Sequence, residues 1–119
     1  MVLAVRGATT VEIDEEDQVI DRVCELVNKI FLDNKLENDS VISLLFSVTS
    51  DVISINPAAA LRRGNGNNTV PLFCTQEPKS IGSLSKAIRV LITWNNDKKV
   101  DVFPSYLHGA KILRPDLIQ

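Results

Sequence analysis

The chain has 119 residues, of which 45% are hydrophobic, and a formal net charge of −2. This length predicts one domain over residues 1–119, and the slightly acidic charge argues against a surface that binds nucleic acid. No apolar run approaches the ~20 residues that cross a bilayer, and no signal sequence fits before Arg6, so we expect a cytoplasmic protein without a membrane partner.

The first part of the chain predicts a strand, a helix and a second strand. Residues 2–5 form an apolar run that predicts a strand ending at Arg6. Asp14 is the predicted N-cap of a long amphipathic helix, because acidic residues follow it and apolar residues then recur at helical spacing until about Asn34. Residues 41–49 are again mostly apolar and predict a strand.

A short helix is predicted in the middle of the chain. Asn56 and Pro57 are residue types favoured at the N-cap and at the first helical position. The helix should cover residues 58–63 and stop at Gly64, and a polar loop should follow at residues 64–68. That loop lacks the lysine and the following helix that a phosphate-binding loop requires.

The remainder of the chain predicts three further strands. They cover residues 69–74, the apolar run that ends at Trp94, and residues 106–113. A helical turn at residues 81–85 should precede the second of these strands. In the last strand, His108 should point to the surface.

These elements predict an α/β fold of the α+β kind, a mixed β-sheet with one long and one short helix. Two such helices cannot cover both faces of the sheet, so one face should remain apolar and need a partner, which predicts an oligomer. Cys24 falls on the apolar face of the long helix. Together with Cys74 it makes no metal motif, so no metal site is expected.

The most informative stretch joins two of the predicted strands. Cys74 and Glu77 follow one strand, and Arg89 stands between apolar residues in the next. A lone arginine in such a setting is costly unless it has a partner, and Glu77 is the nearest candidate in sequence. From the residues alone, a structural ion pair and an anion-binding site are equally good interpretations.

Several motifs resemble those of the small, monofunctional, trimeric class of chorismate mutase. They are Arg6-Gly7-Ala8-Thr9-Thr10-Val11-Glu12, Cys74-Thr75-Gln76-Glu77, Ile88-Arg89-Val90 and Leu113-Arg114-Pro115-Asp116-Leu117. The resemblance covers essentially the whole chain, and the front and rear motifs together are specific. It implies a homotrimer whose sheets form a pseudo α/β barrel, with active sites in the clefts between subunits.

The resemblance also implies the reaction, which is the isomerisation of chorismate, a dicarboxylate, to prephenate in aromatic amino acid biosynthesis by the shikimate pathway. This rearrangement is pericyclic and requires no cofactor, metal, nucleophile or proton transfer. The protein has to hold the substrate in its compact conformer and stabilise the charge that grows in the transition state. Such a task calls for several arginines and a few hydrogen-bonding groups.

By the same resemblance, the catalytic residues are Arg89, Glu77, Arg6 and Tyr106. Arg89 should lie against the ether oxygen of the breaking bond, where a guanidinium offers a permanent charge and fixed donors. Glu77 should accept a hydrogen bond from the ring hydroxyl, and Arg6 and Tyr106 should hold carboxylates. The substrate-binding residues implied are Cys74, Phe73, Arg62, Leu113, Arg114, Asn56 and Ala58.

Three positions depart from the family pattern. Asn56 stands where an aromatic residue is common, Ala59 where a lysine is often found, and Phe73 where a small polar residue is usual. All three belong to the rim that the neighbouring subunit supplies. The departures should affect substrate capture more than the chemical step.

Two other functions compete with this interpretation. A trimeric imine or enamine deaminase also holds a carboxylate with an arginine between subunits, but it needs a group that activates water. A non-catalytic trimer that binds a dicarboxylate needs only the cations. The retention of both Arg89 and Glu77 favours the enzyme.

Overall fold

The computed structural model describes residues 1–65 and 69–117. Its strands and α-helices are, in chain order, β1 (Val2–Thr10), α1 (Glu16–Asp33), β2 (Val41–Val48), α2 (Pro57–Asn65), β3 (Leu72–Gln76), β4 (Ala87–Asn95) and β5 (Ser105–Tyr106). Short 3-10 helices lie at Asn38–Ser40, His108–Leu113 and Pro115–Leu117. None of the helices in the two described ranges combines the length and the apolar character that a membrane span needs.

The strands form one five-stranded sheet in the order β3-β2-β4-β1-β5. Strand β4 runs antiparallel to both β1 and β2, whereas β3 is parallel to β2 and β5 is parallel to β1. A parallel pair needs a long crossover connection, and α2 supplies it between β2 and β3. The expected mixed sheet with one long and one short α-helix is confirmed.

The helices cover one face of the sheet. Alternate residues of β4, namely Ile88, Val90, Ile92 and Trp94, are at most 3% exposed and join one buried cluster with the apolar stripe of α1. Alternation along the strand puts every second side chain on this face. The remaining members of the core include Val19, Val23, Leu26, Ile30, Leu44, Phe46 and Leu61.

The opposite face, which we call the open face, carries Arg6, Leu45, Ser47, Phe73, Arg89 and Leu91. These residues are neighbours in the strand register, with Leu91 opposite both Arg6 and Leu45, and Arg89 opposite Ser47. Phe73, Leu45 and Leu91 keep 67%, 39% and 36% of their surface exposed. The predicted exposed apolar side chains are therefore present, but the face is not uniformly apolar, because arginines and a serine lie between them.

Two boundaries near the start of the chain differ from the predictions. Strand β1 does not end at Arg6 but runs on to Thr10, because the arginine occupies an outward position on the open face. The predicted N-cap Asp14 was also wrong. The N-cap of α1 is Glu15, which makes no side-chain capping bond, and the carboxylate of Asp14 instead accepts the backbone N–H groups of Ile53 and Ser54 at 2.9 and 3.1 Å.

The short helix begins as predicted and ends later. Asn56 caps α2 by accepting the backbone N–H of Ala59 at 2.9 Å, and Pro57 is its first residue. Gly64 lies inside α2 and does not stop it. A Cβ atom at this position would lie 2.2 Å from Sγ of Cys24 on α1, so the glycine permits close packing of the two helices. Within the predicted loop at residues 64–68, residues 66–68 lie outside the described residues.

The predicted last strand over residues 106–113 is mostly 3-10 helix. After Tyr106, the backbone N–H of Leu107 still donates to Ala8, but the next hydrogen bond to β1 goes from the N–H of Gly109 to the side chain of Thr10. That side-chain acceptor replaces the strand ladder, so the chain turns. His108 is exposed, as expected, but it begins the 3-10 helix with a left-handed φ of 52°.

The predicted helical turn at residues 81–85 is a hydrogen-bonded turn without a helix. The backbone N–H of Ser83 donates to the carbonyl of Ser80 at 3.1 Å. Gly82 has a φ of 81°, which ends any helical progression and which glycine adopts without steric cost.

Candidate active site

Arg89 lies at the centre of the open face. Its neighbours Ile88 and Val90 point into the core, so the strand alternation turns the guanidinium away from the helices. Its Nε atom lies 3.4 Å from Oε1 of Glu77, and the two side chains are 40% and 23% exposed. The predicted ion pair is therefore present, and Arg89 is half-buried on a face where polar and apolar side chains are mixed.

Glu77 is held in place by strand β2. Its backbone N–H donates to the carbonyl of Val48 at 2.8 Å, which continues the β2–β3 ladder by one residue. The hydroxyl of Ser47 donates to Oε1 of the carboxylate at 2.5 Å. Sequence reasoning missed Ser47. The residue stands two positions after Leu45 on a predicted strand, so the two side chains were expected on the same face of the sheet.

Arg6, Tyr106 and Arg89 line one cavity of about 190 Å³ on the open face. Strands β1 and β4 bring the two arginines together, because Arg6 is opposite Leu91 and Arg89 is opposite Ala8. Tyr106 enters from β5, where it also pairs with Ala8. Glu77 does not line this cavity itself but contacts two residues that do, Arg89 and Ser47.

The segment after β5 brings a third arginine to this group. The guanidinium carbon of Arg114 lies 5.9 Å from the centre of the Tyr106 ring. Its Nε and Nη2 atoms donate to the two carboxylate oxygens of Asp116 at 3.1 and 2.9 Å. This hydrogen-bonded pairing raises the pKa of Arg114 and lowers that of Asp116. Leu113 precedes it at the end of the 3-10 helix.

The other predicted binding residues gather around Cys74. The thiol faces α2, where the backbone N–H of Ala58 donates to Sγ at 3.3 Å and the thiol lies 3.6 Å from Oδ1 of Asn56. Burial raises the pKa of the Cys74 thiol, and the Ala58 N–H group and the charge of Arg62 offset this only in part. A thiol that resists ionisation is a poor nucleophile.

The structure thus divides the predicted site residues into two groups. One group comprises Arg6, Glu77, Arg89, Tyr106, Leu113 and Arg114; the other comprises Asn56, Ala58, Arg62, Phe73 and Cys74. None of the second group lines the cavity of the first. Cys74 points towards α2, and Phe73, its neighbour on β3, points to the open face.

A second cavity, of about 490 Å³, is larger than the one that holds the arginines. It is lined by residues 49–51 and by the segment that follows Glu77. Within the described ranges its lining has one cationic residue, Lys79, together with the carboxylates of Asp51 and Glu77. A dianionic ligand suits the smaller cavity better, because two arginines on paired strands present fixed positive charge there.

The model of the family described as chorismate mutase type I matches residues 2–117. The chain is 38% identical to chorismate mutase AroH of Bacillus subtilis (strain 168), over 98% of this chain and 93% of that protein. It is 40% identical to chorismate mutase AroH of Thermus thermophilus, over 98% and 97%. The chain belongs to the chorismate mutase type I family.

A solved structure supports this assignment. A chorismate mutase from Clostridium thermocellum superposes with a TM-score of 0.86 and 39% identity, covering 92% of this chain and 98% of the other. The resemblance seen in the motifs, the function of chorismate mutase and the enzyme class of isomerase are therefore confirmed. The matches favour this function over the deaminase and over the non-catalytic trimer.

Proposed function

We propose that this family member converts chorismate to prephenate at a composite site whose two groups of residues come from neighbouring copies of a homotrimer. The observation that carries the proposal is that Arg6, Arg89 and Tyr106 line the same cavity on the open face. Chorismate is a dicarboxylate, and this cavity offers it two guanidinium groups and a phenol.

The strand geometry supports a second copy. Cys74 and α2 lie on the helix side of β3, whereas the arginines lie on the open side of β1 and β4. One small ligand cannot contact Cys74 and the arginines of the same chain through the sheet. Because β3 is an edge strand, a neighbouring copy can bring its own β3 and α2 against the open face, where Phe73, Leu45 and Leu91 are exposed.

Arg89 has the central chemical role in the proposal. Negative charge develops on the ether oxygen as the carbon–oxygen bond breaks, and a permanently charged, planar guanidinium stabilises it without a proton transfer. The neighbouring strands hold Arg89 in place before the substrate binds. Preorganised charge of this kind acts more strongly on the transition state than on the ground state.

The remaining residues hold the reactive conformer. Glu77 accepts a hydrogen bond from the ring hydroxyl, and Arg6 and Tyr106 bind carboxylates. Arg114, stacked near Tyr106, and Arg62 of the neighbouring copy cover the dianion. The backbone and thiol of Cys74 border the ring hydroxyl, and Leu113 and Ala58 complete the walls. Closing such a site fixes the two reacting ends of the substrate near each other.

The departures from the family pattern concern the rim. Asn56 uses its side chain to cap α2 and lies 3.6 Å from the thiol of Cys74, so it takes a structural part where an aromatic residue is common. Phe73 is 67% exposed and places a ring at the edge of the open face. The chemical step depends on Arg89 and its neighbours, so we expect weaker substrate capture but an intact reaction.

The activity is tested by adding chorismate to the purified protein and following the loss of its ultraviolet absorbance. A rate indistinguishable from the uncatalysed reaction would overturn the proposal. The assembly is tested by sedimentation, which should give a trimer. The extent of the domain, residues 1–119, and a cytoplasmic location also remain proposals, which limited proteolysis and cell fractionation would test.

The sharing of sites between copies has its own test. Arg62→Ala and Arg89→Ala proteins are refolded together and assayed at chorismate concentrations well below KM, where each variant is weakly active alone. Random mixing around a cyclic trimer leaves about a quarter of the interfaces with both arginines, so activity should recover to roughly that share. No recovery in trimers shown to have exchanged would place both residues in the site of one chain.

A further inference from the structure

Ser47 is a polar residue of the open face to which the resemblance gives no role. It lies on the interior strand β2, opposite Arg89 on β4 and opposite Thr75 on β3. Its hydroxyl donates to Oε1 of Glu77 at 2.5 Å, and it lines the cavity that contains both arginines. A hydrogen bond to an ionised carboxylate is charge-assisted and is stronger than one between two neutral groups.

The same carboxylate oxygen is the one nearest to Arg89. Nε of Arg89 lies 3.4 Å from Oε1 of Glu77. This Nε atom is buried and makes no hydrogen bond with any described residue. The ion pair therefore attracts Glu77 without orienting it. Among the described residues, Ser47 provides the side-chain hydrogen bond that sets the direction of the carboxylate, and Oε2 is left without a hydrogen-bond donor.

We propose that Ser47 is a positioning residue that binds one oxygen of Glu77, so that the other oxygen faces the substrate hydroxyl. This inference rests on the proposed function. Ser47 suits the task because its side chain has a single rotatable bond to the hydroxyl oxygen and stands on a strand paired on both sides. A supporting hydrogen bond from such a rigid element narrows the range of orientations of a functional group.

Ser43 is a matched control for Ser47. It lies on the same strand and the same face, it is also half-buried, and it is opposite Thr93. Within the described ranges its hydroxyl makes no hydrogen bond to Glu77 or to another cavity residue. Replacing Ser43 by alanine therefore removes a hydroxyl from β2 without touching the site.

The experiment is a double-mutant cycle in chorismate turnover. Ser47→Ala should lower kcat/KM about tenfold, since it removes one charge-assisted hydrogen bond, and Ser43→Ala should change it less than twofold. Ser47→Thr keeps the hydroxyl and should restore most of the loss. In a Glu77→Gln background, Ser47→Ala should lower kcat/KM by a further factor of less than two, because the serine acts through the carboxylate.

The outcomes distinguish a failure of the proposed function from a failure of the role of Ser47. Wild-type protein that does not turn over chorismate would refute the proposed function. Glu77→Gln with wild-type kcat/KM would remove Glu77 from the site, and the role of Ser47 with it. A Ser47→Ala variant that matches Ser43→Ala, or one that loses tenfold in both backgrounds, would overturn the positioning role alone. A purely structural role would lower the melting temperature and leave the cycle additive.

Discussion

Strand β4 shows how the two faces of the sheet differ. Ile88 and Val90 are 0% and 3% exposed within the helix-covered core, whereas the side chain of Arg89 between them is 40% exposed on the open face. Adjacent residues therefore contribute to different properties of the same protein. Substitutions on the covered face should change stability, and substitutions on the open face should change activity.

The largest effect is expected at Arg89. Arg89→Ala should lower kcat about 10²–10³-fold, as the loss of one preorganised donor to a developing charge typically does, while the protein stays folded. Arg89→Lys keeps the charge without the planar fork and should recover only part of the rate. The measurement is kcat on protein whose sedimentation matches that of the wild type. A folded Arg89→Ala protein with near-normal kcat would remove this residue from the mechanism.

A smaller effect is expected at the other group of site residues. Arg62 is exposed on α2, and its charge acts on Cys74. Arg62→Ala should raise KM about tenfold and change kcat less than twofold, because a rim cation binds substrate and transition state alike. Arg63→Ala is the matched control, since Arg63 is paired with Glu16 at 3.1 Å and should leave KM unchanged. Equal effects of the two variants would contradict the assignment of Arg62.

On the covered face, Ile88→Val should lower the free energy of unfolding by about 1 kcal/mol, which is typical of a buried methylene deletion. Its kcat should stay within twofold of the wild-type value although Arg89 is the next residue. Urea denaturation and chorismate turnover measure the two quantities. Ile53→Val, at a position 82% exposed, should leave both unchanged. A large fall in kcat for Ile88→Val would show that the two faces are not independent.

The smallest effect concerns pH and a loop away from both faces. The N–H groups of Ile53 and Ser54 hold the pKa of Asp14 below its ordinary value of 3.8. Ionised Asp14 therefore stabilises the folded chain above that value, and the contribution disappears as the pH falls through the lower, folded-state pKa. The stability advantage of wild type over Asp14→Asn should be constant near neutral pH and shrink below about pH 4. An advantage that grows on acidification would have the wrong sign.

Elements with a long regular pattern were predictable from the sequence. The apolar stripe of α1 and the mostly apolar runs of β2 and β4 specify their type locally, and Asn56 and Pro57 mark the start of α2. The mixed α+β fold followed from these elements, and the candidate residues followed from the motifs. Such local patterns do not depend on a distant partner, so they were sufficient to predict the type of these elements.

Features decided by distant partners were not predictable. Asp14 has the residue type of an N-cap, but Ile53 and Ser54 claim its carboxylate. Gly64 resembles a helix stop, but contact with Cys24 requires a glycine inside α2. Residues 106–113 have strand-like composition, but Thr10 supplies a side-chain acceptor that turns the chain. In each case a contact between residues far apart in sequence outweighed the local preference.

The same distinction applies to the candidate site. The sequence by itself determined which residues could bind a dianion, because arginine, glutamate and tyrosine side chains in recognisable motifs imply that chemistry. Only the tertiary structure decided that Arg6, Arg89 and Tyr106 share one cavity, that Cys74 faces the other side of β3, and that Ser47 holds Glu77. Strand order and register set these relations, and they arise from hydrogen bonds between strands that no local pattern encodes.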